Sequence, residues 1–389
     1  MSNAAAPLRT QWLTVLCYLA MMSLAIGLNL LPVFLTTLSH LYGGADGLSK
    51  EELGRLGAVG FTGLVVGILI TGPLADRAGA KPFALLGNAC IAVSLVGLAL
   101  APTYAWLTVA MLVLGLGAGI LDMVLSPIVA ALHPKRRGAA MNWLHSFYCV
   151  GAGVTIFVGT IGLQAGLGWR GTCLVLLPLP LGLMAAFAPL RFPTLVSDGG
   201  RTPFFGLVRQ PWFLGALVAI FLGGATEAGM AQWLPAYAEL SLGFSTWIGG
   251  TALLLFSLAM ALGRMVVGAV GPRWNPYLVM AWGCGLSAAL FLAASFLPWS
   301  GAALTAAIVV GVTGSCLWPT LLAVTADRHP DGGASMFGAL AALGNAGGIV
   351  LPWLVGWVAD RHSLAIGLAW SAVAPGLMLP LILLLRRFR

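Results

Sequence analysis

Apolar residues run along this chain in long unbroken blocks parted by short polar seams, not at the one-sided spacing of a surface helix. Blocks lie at roughly 11–38, 55–75, 82–101, 104–132, 139–164, 170–190, 211–238, 247–271, 276–297, 302–325, 333–358 and 364–386. A helix of about 20 apolar residues crosses a bilayer, so each block predicts one crossing and the longer ones predict tilt or an extension. The pattern predicts an all-α polytopic membrane protein of twelve transmembrane helices. The opening "MSNAAAPLRTQ" leads into the first block without an n-region and cleavage site, so no cleavable signal is expected.

The seams set the expected orientation. With twelve crossings both ends share a side, and on it fall Arg9, Arg77, Lys81, Lys135, Arg136, Arg137, Arg191, Arg201, Arg209, Arg273, Arg328, Arg386, Arg387 and Arg389. Only Lys50, Arg55, Arg170 and Arg361 fall opposite. By the positive-inside bias both termini are expected in the cytoplasm. The net charge of +8 then reflects topology, and no nucleic-acid partner is expected. Charged residues make up 8% of the chain, where a soluble domain carries about a quarter. All six cysteines fall inside blocks without a C-x-x-C pair, which predicts neither a disulfide framework nor a metal site.

The second half echoes the first. Gly67, Gly72 and Arg77 at the end of block two match Gly263, Gly268 and Arg273 at the end of block eight. "GAAM" at Gly138 matches "GASM" at Gly333, Pro127 matches Pro319, and "LLPVF" at Leu30 matches "WLPAY" at Trp233. Two six-helix bundles are therefore expected, at 1–190 and 211–389, joined by a cytoplasmic linker at 191–210. Repeats of this kind, with a site near mid-membrane, build many secondary transporters.

The seam "GPLADRAGAK", Gly72 to Lys81, resembles the G-x-L-A-D-R-x-G-R-K signature of the major facilitator superfamily, with Ala80 in place of the second basic residue. The resemblance implies that Asp76 caps a helix and that Arg77 pairs across the interface, so that both gate. Arg264, the only basic residue inside a block, would sit at the matching place in the other half and gate with them.

Of eleven acids only Asp122 and Glu227 lie deep within blocks, and His145 is the one histidine at that depth. Ionisable groups inside spans usually face the bundle interior and mark an ion or substrate path. Asp122 shares a helix face with Ser126. Asn142, His145, Ser146 and Cys149 form one stripe in "MNWLHSFYCVGAG". In "GGATEAGMAQWLPAYAE", Gly223, Gly224, Gly229 and Pro235 are expected to weaken the helix around Glu227, Gln232 and Trp233. Packing alone would account equally for many single glycines, and a given tryptophan among the 14 is more often packing or lipid-facing than a ligand.

The acid before Pro127, the N-x-x-H pattern of block five, the E-x-x-x-x-x-W pattern of block seven and "GNAGGIVLPWLVG" at Gly344 resemble the fucose/glucose–galactose:proton symporter branch of that superfamily. The resemblance implies a hexose cargo, with Asp122 or Glu227 coupling protons and Asn142, His145, Gln232 and Asn345 bonding hydroxyls. Asn29 and Ser126 complete the polar set, and Trp233 or Trp318 would meet the sugar face. This chain departs from the branch at Asn29, where fucose symporters carry an acid, and at Ser126 before Pro127, which leaves uniport open.

A transporter of drug-like cations, amphiphiles or lysolipids, or organic acids is the alternative. Organic anions are expected to fare worse there, because Arg264 is assigned to the gate. No Walker loop, H-E-x-x-H or G-x-S-x-G is present, so an enzyme is not expected, nor a cofactor, and uphill transport would draw on an ion gradient. The expected setting is a monomer in a bacterial inner membrane, contacting lipid and a small solute.

Overall fold

The computed structural model describes residues 5–43, 48, 50–194, 204–359 and 361–388. Part of the expected linker, 195–203, lies outside the described residues, as do Asp46, Asp198, Arg201 and Asp360. The described chain is nearly all helix. In order come α1 (Ala5–Tyr42), α2 (Lys50–Ala78), α3 (Lys81–Leu100), α4 (Tyr104–Leu132) and α5 (Arg137–Gln164). Then come α6 (Gly168–Leu176), α7 (Pro178–Phe187), the short α8 (Phe204–Leu207), α9 (Pro211–Ala231), α10 (Leu234–Leu240) and α11 (Thr246–Val270). The rest are α12 (Pro276–Phe296), α13 (Ser300–Gly314), α14 (Leu317–Arg328), α15 (Gly333–Ala359), α16 (Leu364–Trp370) and α17 (Val373–Leu385).

Among the described residues 12 stretches are long and apolar enough to cross a membrane, in the order the sequence predicts. Four of them are built from two helices: α6 with α7, α9 with α10, α13 with α14, and α16 with α17. Proline accounts for these breaks. A proline has no N–H for the carbonyl four residues before it, and the helix yields at that carbonyl. Pro180 thus acts at Leu176, Pro235 at Ala231, Pro319 at Ser315 and Pro375 at Ser371, each at the end of the preceding helix or just beyond it.

The chain divides into two compact units. The first takes Met1–Leu132, Phe147–Gly199 and Gly333–Gly338; the second takes His133–Ser146, Gly200–Gly332 and Ala339–Arg389. In the first, α2 and α4 touch backbone to backbone. A Cβ at Gly115 would lie 1.9 Å from the Gly60 carbonyl oxygen, and one at Gly119 would lie 2.0 Å from that of Leu64. In the second, α9 and α15 do the same, with Gly347 seated on the Phe221 carbonyl and Gly224 on that of Gly344. Lipid supplies no hydrophobic drive for helix association, so close approach at small residues stands in for it.

Gly79, in the loop after α2, has φ +79°, a left-handed conformation that ends the helix with its N–H on the Ala75 carbonyl. The chain then turns directly into α3. The carboxylate of Asp76 accepts from the N–H and Oγ of Ser335 at 3.1 and 2.5 Å, capping the first turn of α15. Arg77 beside it is exposed.

Candidate functional site

The second unit holds a buried charge. Arg264 on α11 is 2% exposed, and its guanidinium contacts include Glu227, Ser315 and His145. Nη2 lies 2.6 Å from Oε2 of Glu227 on α9, in an ion pair whose acid side chain is 23% exposed. Nε donates to the Ser315 carbonyl at 2.9 Å, and Nη1 to the His145 carbonyl at 2.8 Å.

Each contact traces to the local sequence. Pro319 cannot donate to the Ser315 carbonyl, which is left with a lone pair that Arg264 takes. Gly263, next to Arg264, lets α11 close on α13: a Cβ there would stand 2.8 Å from the Val312 carbonyl oxygen. Gly224 draws α15 onto α9 one turn before Glu227. The arginine is therefore held by groups fixed in helix backbones. Its acid partner Glu227 sits at the more open edge of the pair.

Other expected residues gather around this pair. Asn142 is buried, and its amide donates to the Gly138 carbonyl and to Thr320 Oγ1 on α14 at 3.2 Å. Its Oδ1 is buried without a hydrogen-bond partner. The His145 ring is buried on the same face of α5. Trp318 is half-buried, and its six-membered ring lies against Gly344 and Gly224. Asn345 is next along α15, with its amide bonded to the Ala341 carbonyl of its own helix.

Other expectations need correcting. Arg264, expected at the gate, pairs with Glu227, where Gly263 and Pro319 bring α11 to the broken span. Glu227 does not sit on a weakened segment. α9 runs unbroken through Gly223, Gly224 and Gly229 and yields only at Gln232 and Trp233, just past the Ala231 carbonyl from which Pro235 withholds an N–H. Glycine in this close-packed span is a contact surface, not a breaker. Gln232 is exposed past that break, and the Trp233 indole donates to the Pro352 carbonyl and packs on Gly356.

In the first unit, Asp122 is half-buried on α4 and Ser126 one turn on is buried. The Asn29 amide donates to Ala25 of its own helix. Sequence reasoning misses the site roles of Ser315, Thr320 and Pro319. A proline inside a predicted span names the carbonyl it frees, four residues earlier, and that signal is legible in the sequence.

The family profile described as Major Facilitator Superfamily matches residues 13–352. The chain belongs to that superfamily. It is therefore a membrane transporter by family and fold, multi-pass, with a small-molecule cargo. A Bacillus subtilis (strain 168) protein named as a niacin/nicotinamide transporter is 27% identical over 336 residues, 81% of each chain. The gentisate transporter of Corynebacterium glutamicum is 25% identical over 363 residues, 87% of this chain and 81% of its own. Among solved structures, the fucose:proton symporter FucP in the outward conformation superposes with a TM-score of 0.80 at 17% identity, covering 96% of this chain and 98% of its own. That likeness is one of fold.

Proposed function

We propose that this chain is a proton-coupled transporter of a small organic anion, and that Arg264 takes the anion's carboxylate while Glu227 carries the proton. The observation that carries the reading is the buried Arg264–Glu227 pair at 2.6 Å. A guanidinium held by two backbone carbonyls turns its Nη2 edge to Glu227, and that edge also suits the carboxylate of a ligand. While Glu227 is ionised it occupies the Nη2 edge. A proton on Glu227 Oε2 removes its charge, the ion pair opens, and the Nη2 edge is given up. An arriving carboxylate takes the place of Glu227 there. Loss of the proton on the other side returns Glu227 to Arg264 and expels the anion.

The names of the relatives support this class, since niacin, which the first name pairs with the neutral nicotinamide, and gentisate are carboxylic acids. A hexose cargo has weaker support, because the amides of Asn29, Asn142 and Asn345 each donate to a carbonyl of their own helix. Asp122 and Ser126 are assigned a supporting polar role, and Asp76 with Arg77 a gating one. The chain works as a monomer by alternating access of its two halves, 1–190 and 211–389, with both termini in the cytoplasm of a bacterium.

Charge conservation gives the test. The empty site holds Arg⁺ and Glu⁻, and the loaded site holds Arg⁺, the anion and neutral Glu. Both sum to zero, so a monocarboxylate crosses without net charge. In proteoliposomes, nicotinate is expected to accumulate with an inside-alkaline pH gradient, above protein-free vesicles, and Arg264→Gln is expected to abolish it. Uptake of galactose or fucose by the wild type, with no nicotinate uptake, would overturn the reading in favour of a sugar.

A further inference from the structure

The Arg264–Glu227 pair fixes one end of a ligand, and the residues one helical turn away constrain the shape of its remainder. α9 and the α13–α14 span run antiparallel, since Thr226 lies beside Gly314 and Gly223 beside Leu317. Gly224 precedes Glu227 by three residues on α9, and Trp318 comes three residues after Ser315 on the other span. Both steps leave the ion pair in the same direction by about 5 Å, one turn of helix. They meet at the Trp318 ring. A Cβ on Gly344 would lie 2.1 Å from Cζ3 and 2.3 Å from Cη2, and one on Gly224 would lie 3.1 Å from Cζ3. The ring is therefore laid down on two glycines that nothing larger could replace without moving it.

A tryptophan held this way has lost its freedom before any ligand arrives, and it is still half-buried rather than covered. Stacking on a pre-placed ring avoids the entropy of ordering one. The distance suits a substrate whose ring is joined directly to its carboxylate: the carboxylate on Arg264 carries the ring to the level of Trp318.

Resting on the reading that Arg264 binds a carboxylate, we propose that Trp318 is the specificity-determining platform of this site, selecting anions with a planar aromatic ring over saturated ones. Benzoate and cyclohexanecarboxylate separate the two contributions. They share the carboxylate and ring size and bury similar apolar area, but only benzoate is flat and has a π face.

The test uses the full chain in nanodiscs, with tryptophan replaced by 5-fluorotryptophan and the Trp318 ¹⁹F resonance assigned from Trp318→Phe. Benzoate is expected to bind about tenfold tighter than cyclohexanecarboxylate, a difference of about 1.4 kcal/mol, and to move the Trp318 resonance. Trp318→Leu should bring the two affinities within about twofold, while Trp318→Phe, which keeps an aromatic face, should retain most of the discrimination. Equal affinities in the wild type would overturn the proposal, as would discrimination undiminished in Trp318→Leu. If neither anion binds, or both bind unchanged in Arg264→Gln, the carboxylate reading itself has failed. If Trp318→Leu does not fold, the Trp318→Phe discrimination and the wild-type resonance shift still decide.

Discussion

Replacing Glu227 by glutamine should uncouple anion binding from pH, and the size of the effect can be worked from the geometry. In the wild type an anion reaching Arg264 must displace a carboxylate 2.6 Å from Nη2. A hydrogen bond between charged groups is worth about 1.5–3 kcal/mol net. Glu227 is 23% exposed, so water regains part of what the pair gives up, and the lower part of that range applies. About 1.5–2 kcal/mol corresponds to a roughly 10–30-fold gain in anion affinity for Glu227→Gln where wild-type Glu227 is ionised. The sign of the pH effect is fixed by linkage. Wild-type binding is linked to uptake of a proton, so affinity is highest at low pH and falls by the same roughly 10–30-fold in all as pH rises. Glu227→Gln is neutral throughout, so its affinity should be flat and should equal the wild-type value at the acid end. Calorimetric titration of benzoate into the protein in nanodiscs between pH 6 and 9 gives both slopes, since benzoate itself stays ionised there. A wild-type slope that survives in Glu227→Gln but vanishes in Asp122→Asn would refute the assignment and move the proton to α4. A wild-type affinity independent of pH would refute proton coupling at this site altogether.

Two further predictions probe the frame around the pair. Pro319→Ala restores an N–H that competes with Arg264 for the Ser315 carbonyl. It should leave thermal stability unchanged or raised while weakening anion binding several-fold, and a variant binding as tightly as the wild type would dismiss the freed carbonyl as a cause. Gly347→Ala places a Cβ 1.9 Å from the Phe221 carbonyl oxygen, a backbone atom that cannot swing aside. It should lower stability by about 1–3 kcal/mol, as overpacking does; an unchanged melting temperature in detergent would mean that α9 and α15 are not held this close.

Fold and site differ in how legible they are from sequence. The twelve crossings can be read because span length and apolar content are properties of single segments, set by the thickness of the bilayer rather than by neighbours. The turn at Gly79 is legible for a similar reason, as part of a short local signature. Glu227 and Arg264 are each visible as rare buried charges, yet their pairing is not. They lie 37 residues apart on different helices, and the phase at which α9 and α11 face each other depends on contacts at Gly263 and Gly224 that no single-segment pattern reveals. The expected break at Glu227 fails on the dual use of glycine. In water a run of glycines loosens a helix, but in a packed span the same residues let backbones touch, and the break passes to Pro235. Trp318 and Asn142 do lie near the buried pair, but the chemistry expected of them came from a resemblance to sugar symporters. Their surroundings here, a ring resting on two glycines and an amide half-bonded to its own helix, are equally compatible with a different cargo.

At the centre of this mechanism, one proton and one carboxylate exchange places on the Arg264–Glu227 pair. Its most direct test is nicotinate uptake into proteoliposomes, with a pH gradient and a membrane potential imposed separately by potassium and valinomycin. Accumulation is expected to be driven by the inside-alkaline gradient and unaffected by a potential of either sign. Accumulation that tracks the potential, or that persists without any pH gradient, would contradict the exchange.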